Sequence, residues 1–320
     1  MPIPPRFVPA LLALLLSLPS ASGAASPWKV ATGFSSDWAH VTVDVQPLAP
    51  NVFLLHGSGG NVLALVGPGG ALLVDDEFAQ MGPKLKAKLA ELGSGPVRYV
   101  INTHYHGDHT GANAFFMKDG ALVIAQENCR ADMLVSHYSY HWKSHSAVIP
   151  ESEAPGLTYR DRLTLYLNGE EVTAFHNQPS HTDGDTVVYF HHANVVHLGD
   201  VFVNLLYPYI DLATKGTING YMPVIDEVLG MINDQTKVIP GHGPVATKAE
   251  LKAYRDMLQT VRDRVAAGVA KGESLETIIA GHPSAEFDKV WASDRVGPED
   301  FTAMVYQSLT GKRLDWNLAL

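Results

Sequence analysis

Residues 103–111 read Thr-His-Tyr-His-Gly-Asp-His-Thr-Gly, which places His104, His106, Asp108 and His109 within six positions. Single candidates follow far downstream at His181, Asp200 and His242. Imidazole nitrogen and carboxylate oxygen are donors that zinc accepts, and two zinc ions sharing a hydroxide need about this many protein ligands. With 15 His in 320 residues, three His and one Asp at these fixed offsets arise by accident in roughly two chains in a thousand. The cluster therefore reads as a metal site. Whether it acts on a substrate or only holds a fold together is a separate question.

The elements around these residues share one feature. Apolar runs at 41–45, 52–55, 62–66 and 71–74 read as short strands, and the turn His56-Gly57-Ser58-Gly59-Gly60-Asn61 joins the second to the third. Phe78, Met81, Leu85, Leu89 and Leu92 recur by three and four, so a helix follows, closed by Gly93. A strand at 97–101 runs directly into the His cluster. Leu163, Leu165 and Leu167 alternate up to Asn168-Gly169, a hairpin signal, and residues 172–175 return. A second hairpin is expected over 186–190 and 194–197, and a short strand over 237–240 delivers Gly241-His242-Gly243. Each candidate ligand thus falls just past a strand end, so one mouth of a layered sheet structure would gather them. From Thr247 the pattern is helical. Thr247 and Glu250 have capping-box spacing, Leu251, Tyr254, Leu258, Val261 and Val265 mark one apolar face, and a last helix is expected over 298–309.

Composition narrows the function classes. The net charge of −10 disfavours nucleic acid, which needs clustered Lys and Arg. Residues 1–24 combine Arg6, an apolar run over 8–18 and the small residues 21–25, the pattern of a secretory signal cleaved near Ala24. That run is shorter than the roughly 20 apolar residues a membrane span requires. The expectation is a periplasmic or secreted protein with a small-molecule substrate and no membrane attachment after processing. Cys129, the single cysteine, forbids an intramolecular disulfide and reads as a small helix residue. The remaining length suits one large domain, 25–246, followed by a helical extension, 247–320.

Residues 104–109, with Asp75 closing an early strand, His181, Gly199-Asp200 and a late Gly-His-Gly at 241–243, resemble the ordered motifs of the metallo-β-lactamase superfamily over roughly residues 40–245. The resemblance implies an α/β (α+β) fold, the αββα sandwich, with metals at one edge. It implies two zinc ions, with iron or manganese also accepted by the donors. His104, His106 and His181 would hold one metal; Asp108, His109 and His242 would hold the other; Asp200 would bridge them, and Asp75 would support the loop from behind. His at position 106 departs from the Glu of the oxygen-reducing di-iron branch. Asp200 stands where some β-lactamases carry Cys, and Val203 stands where they carry a carboxylate-gripping Lys.

The resemblance implies hydrolysis, with a metal-bridging hydroxide attacking a carbonyl and Asp108 relaying its proton. Three readings stay open at this level: a dedicated β-lactamase, the same chemistry on another ester, thioester or lactone, and a non-catalytic metal-dependent binding protein. Asn204, Tyr207 and Tyr209 are expected as substrate contacts. Trp142 lies in an insertion suited to a lid. His137, His141 and His145 repeat at four, so a helix would align them on a solvated or pocket-lining face. His176 reads as structural, and His191 and His192 as turn residues on the surface.

Overall fold

The computed structural model describes residues 37–312; the expected signal at 1–24 lies outside them. Strands β1 (Asp44–Ala49), β2 (Val52–His56), β3 (Val62–Leu65) and β4 (Ala71–Val74) form an antiparallel meander. Helix α1 (Gly82–Glu91) crosses back to β5 (Val97–Ile101), which lies parallel to β4. Two short helices, α2 (Gly107–Thr110) and α3 (Asn113–Lys118), precede the parallel strand β6 (Leu122–Gln126), and α4 (Glu127–Met133) follows it. The chain then makes a small hairpin, β7 (Tyr138–Ser139) and β8 (Ser144–His145), before β9 (Leu157–Tyr159) completes a seven-stranded sheet. The second sheet has five strands in chain order, β10 (Arg162–Leu167), β11 (Glu170–Phe175), β12 (Val187–Phe190), β13 (Val195–His197) and β14 (Lys237–Ile239). Helix α5 (Ile218–Met231) makes the crossover before β14, and α6 (Lys248–Ala270), α7 (Leu275–Ala280), α8 (Asp288–Trp291) and α9 (Pro298–Thr310) follow.

Alternation within single strands builds the layers. Leu54, Leu63, Leu72 and Val74 point between the sheets, where they meet Val172, Val188, Phe190 and Ile239. Their neighbours Leu55, Val62, Ala64 and Leu73 point the other way, against Leu85, Leu89 and Phe116. Successive strand side chains face opposite sides, so a sheet covered on both faces needs apolar residues at nearly every position. The outer face of the second sheet packs Phe175, Val187, Val196 and Val238 against α5, α6 and α9. This is an αββα sandwich with helices outside both sheets. Leu251, Tyr254, Leu258, Val261 and Val265 are all buried in that last core, and the capping box of Thr247 and Glu250 starts α6.

Two expectations need correction. The first strand starts at Asp44 and runs to Ala49, because its partner β2 ends at His56 opposite Asp44; Val41 and Val43 instead pack against the helix-side core. Residues 137–145 form a hairpin with Tyr138 opposite His145. Four-residue spacing of histidines is a weak helix signal in a stretch of Tyr, Ser, His and Trp, which favours extended structure.

Candidate metal centre

All the strand ends that matter open at one edge. Asp75 leaves β4 with a left-handed backbone, φ 63°, and its buried carboxylate organises the loop after β5. It accepts Thr103 N–H at 2.7 Å, the Thr103 hydroxyl at 2.7 Å and His109 Nδ1 at 2.7 Å. Thr103 Oγ1 in turn accepts from His104 Nδ1 at 3.0 Å. His181 Nδ1 donates to the Tyr209 carbonyl at 2.8 Å, and His106 Nε2 donates to Asp211 Oδ2 at 3.0 Å. Each of these four imidazoles spends one nitrogen on an oxygen acceptor, which fixes its tautomer and aims the other nitrogen inward.

The inward nitrogens crowd together. His106 Nδ1 lies 3.0 Å from His104 Nε2 and 3.0 Å from His181 Nε2. His109 Nε2 lies 3.2 Å from His242 Nε2. Asp200 reaches both sets, with Oδ1 3.3 Å from His109 Nε2 and Oδ2 at 3.8 Å from His181 Nε2 and 3.5 Å from His242 Nε2. Asp108 Oδ2 lies 3.3 Å from His242 Nε2. The donor atoms of His104, His106, His181 and Asp200 all fall within 4.8 Å of one another, as do those of Asp108, His109 and His242. The inward nitrogens of His104, His106 and His181, whose other nitrogens carry the donated protons, repel at 3.0 Å unless a cation lies between them, and Asp200 Oδ1 is buried without a hydrogen-bond partner. Both features fit divalent metals, and the all-N/O donor set is one zinc, iron or manganese accepts.

The electrostatics have two halves. Burial holds His104 well below the ordinary histidine range and lowers His181 as well. Burial also opposes charge on His109 and His242, but Asp200 and Asp108 beside them win and raise both. Burial raises Asp108 and Asp200 less than His109 and His242 lower them, so both carboxyls stay ionised. Close approach of the backbone is part of the construction. A Cβ at Gly60 would overlap the His109 ring, and one at Gly241 would overlap Asp200 Oδ1.

The centre opens into a cavity of about 630 Å³. His106, Asp108, His181, Asp200 and His242 form its floor, and the 137–146 hairpin forms one wall. Tyr209 stands 6.0 Å, centroid to centroid, from the His106 ring. Tyr207 lines the cavity with its hydroxyl already given to Asp288 at 2.7 Å. Asn204 does not line it: the side chain is buried and donates to the Pro244 carbonyl at 3.0 Å, tying down the His242 loop. The segment after Asp200 does flank the cavity through Tyr207 and Tyr209, but the chain turns the Asn204 amide away from it. His137 and His145 line the cavity, whereas His141 donates from Nε2 to the Arg295 carbonyl at 2.8 Å. His176, His191 and His192 lie elsewhere, bonded to Asp185 O, Thr173 Oγ1 and Gly169 O. Cys129 is buried in α4.

Three residues at the site carried no signal in sequence. Asp211 holds His106 and also accepts the Tyr105 hydroxyl at 2.6 Å. Glu77 accepts Ser58 N–H at 3.0 Å and Gly59 N–H at 2.7 Å, which fixes the glycine turn whose Gly60 N–H reaches the Asp108 carbonyl at 2.9 Å. Arg295, between α8 and α9, lines the cavity with its guanidinium 5.5 Å from the Trp142 ring centroid. No other Lys or Arg lines that cavity among the described residues.

The family model of the metallo-beta-lactamase superfamily matches residues 45–247, and the chain belongs to that superfamily. Among solved structures it is similar to a metallo-beta-lactamase from Pontibacter korlensis, with TM-score 0.56 and 18% identity, covering 68% of this chain and 99% of that one. It is also similar to the sec-alkylsulfatase Pisa1 from Pseudomonas sp., with TM-score 0.63 and 19% identity, covering 86% and 51%. At such identities the likeness concerns the fold. Curated relatives include 2,4-dinitroanisole O-demethylase subunit alpha from Nocardioides sp. (23% identical, covering 66% of this chain) and hydroxyacylglutathione hydrolase from Synechocystis sp. (29%, covering 48%). The chain spans 61% and 49% of the length of these two relatives.

Proposed function

We propose that this chain is an exported, two-metal hydrolase that cleaves a small ester, thioester, lactone or β-lactam. The carrying observation is the convergence of two nitrogen-and-carboxylate groups that share Asp200 at the floor of an open cavity. His104, His106 and His181 would hold one cation, Asp108, His109 and His242 the other, with Asp200 between. Zinc in these positions supplies Lewis acidity and an ionised water at neutral pH. A purely structural zinc is usually closed by four ligands, whereas this centre faces a cavity, which favours catalysis over simple binding.

The chain's own residues supply the remainder. Asp108 lines the cavity as an ionised carboxylate and is the group placed to accept a proton from the attacking water. Tyr209 and Trp142 provide flat apolar surface for the acyl portion. Arg295 lines the cavity beside Trp142, and β-lactams stay within the class. Hydroxyacylglutathione hydrolase among the relatives supports a thioester in the same range. The apolar run at 8–18 supports export.

The test uses purified protein with its metal content measured. A chromogenic cephalosporin, a thioester, a lactone, an aryl ester and an aryl methyl ether are assayed before and after chelation. Hydrolysis of at least one carbonyl substrate, lost on chelation and restored by zinc, is expected. Undiminished turnover in metal-free protein overturns the mechanism, and bound metal with no turnover across the panel supports a binding protein instead. Cleavage of the ether alone would move the reaction to a different bond.

A further inference from the structure

The segment Tyr209–Asp211 touches at once the metal centre and the 137–146 hairpin, a flap beside the cavity. Its Tyr209 carbonyl holds His181, as described, and also accepts the Tyr221 hydroxyl at 3.1 Å. Its Asp211 carboxylate holds His106 and Tyr105 on Oδ2, while Oδ1 accepts Ala213 N–H at 3.0 Å. On the other side, Ser139 of the 137–146 hairpin and the Tyr209 hydroxyl are 2.8 Å apart, and that hydroxyl reaches Asp211 Oδ1 at 3.5 Å. Ser139 Oγ also accepts Trp142 N–H at 3.1 Å, so the turn of the flap is tied to the same chain of bonds. Asp211 is almost fully buried, which leaves its carboxylate little freedom to exchange these partners for water.

We propose that Tyr209–Asp211 is a coupling strap, with Asp211 the positioning residue for His106, so that loading the centre and holding the 137–146 hairpin against Tyr209 are linked. The physical reason is that a carboxylate has a fixed spread between its two oxygens. A cation on His106 Nδ1 would restrain that ring, and the bonds from His106 to Asp211 and from Tyr209 to Ser139 would pass the restraint on to the hairpin. Linkage requires the converse: a hairpin held against Tyr209 would tighten metal binding.

The inference rests on the metal-centre reading, and its test separates the two. Zinc affinity is measured by competition with a chromophoric chelator. Amide hydrogen exchange of residues 137–146 is followed with and without zinc. In the wild-type protein zinc is expected to slow exchange across the flap. Asp211→Asn, which keeps the shape but no longer accepts from His106 as a charged group, is expected to weaken zinc binding by about 10–100-fold and to abolish the slowing at saturating zinc. Tyr209→Phe removes the hydroxyl's link to Ser139 and its 3.5 Å approach to Asp211 Oδ1 but leaves the His106–Asp211 bond in place; it is expected to bind zinc within about threefold of wild type while losing the zinc-dependent protection of the flap. If the wild-type protein binds no zinc, the metal-centre reading itself fails. If it binds zinc but its flap exchanges at the same rate, or if Tyr209→Phe keeps the full protection, the strap is overturned and the metal centre stands. Wild-type zinc affinity in Asp211→Asn would remove Asp211 from its positioning role.

Discussion

Burial dominates at His104 and His181, whereas at His109 and His242 the neighbouring carboxylates of Asp200 and Asp108 outweigh it, and this difference contributes to the pH behaviour of the metal-free protein. The raised pair contributes stability that is fully present below the ordinary value of 6.5 and is lost as pH rises through their folded values. The lowered pair is neutral when folded, so below 6.5 the unfolded chain gains protons and stability is lost as pH falls. The two effects have opposite signs on either side of the same pH. The urea midpoint of chelated protein is therefore expected to peak near pH 6.5 and to fall toward both pH 5 and pH 8.5. A midpoint that rises steadily across that interval would mean the imidazoles are not poised in this way. Binding a metal must displace the protons on the raised pair, so zinc affinity should climb with pH over the upper half of the range.

At the scale of elements, function and stability are built at opposite ends of the same strands. β11 leads toward His181 at its far end and begins at the Asn168-Gly169 turn, where both residues have positive φ, 51° and 78°. A two-residue turn of this kind matches the twist of the strands it joins. Asn168 does more than turn the chain: its side chain accepts Gly69 N–H at 2.9 Å and donates to Gly70 O at 2.8 Å, joining the two sheets. Asn168→Ala is expected to cost about 1–3 kcal/mol in unfolding experiments, from the unmet groups and the lost turn preference. Metal content and KM should stay unchanged, because the turn sits at the end away from the cavity. A change in KM with no change in stability would contradict that division.

For the molecule as a whole, the helices after Thr247 belong to the packing of the second sheet. Leu258 is fully buried among residues of α5, α6 and α9. Leu258→Ala should destabilise by about 2–5 kcal/mol through lost burial and the cavity left behind, seen as a lower Tm with KM little altered. The same region brings Arg295 and Val296 to the cavity, so it shapes the cavity as well as the core. Among the described residues no helix is long and apolar enough to cross a membrane.

What could be read from the chain alone was local. Strand alternation, the Asn168-Gly169 turn, the capping box at Thr247 and the tight run from His104 to His109 all depend on neighbours in sequence, and period and spacing record them directly. Resemblance then ordered Asp75, His181, Asp200 and His242 into one motif set. Tertiary structure decided what depends on partners far away along the chain. It turned Asn204 inward, made a hairpin of residues 137–145, and brought Asp211 under His106 across 105 positions and Arg295 into the cavity. A carboxylate or guanidinium has the same appearance in sequence wherever it lies; only the path of the backbone determines which imidazole or cavity it meets.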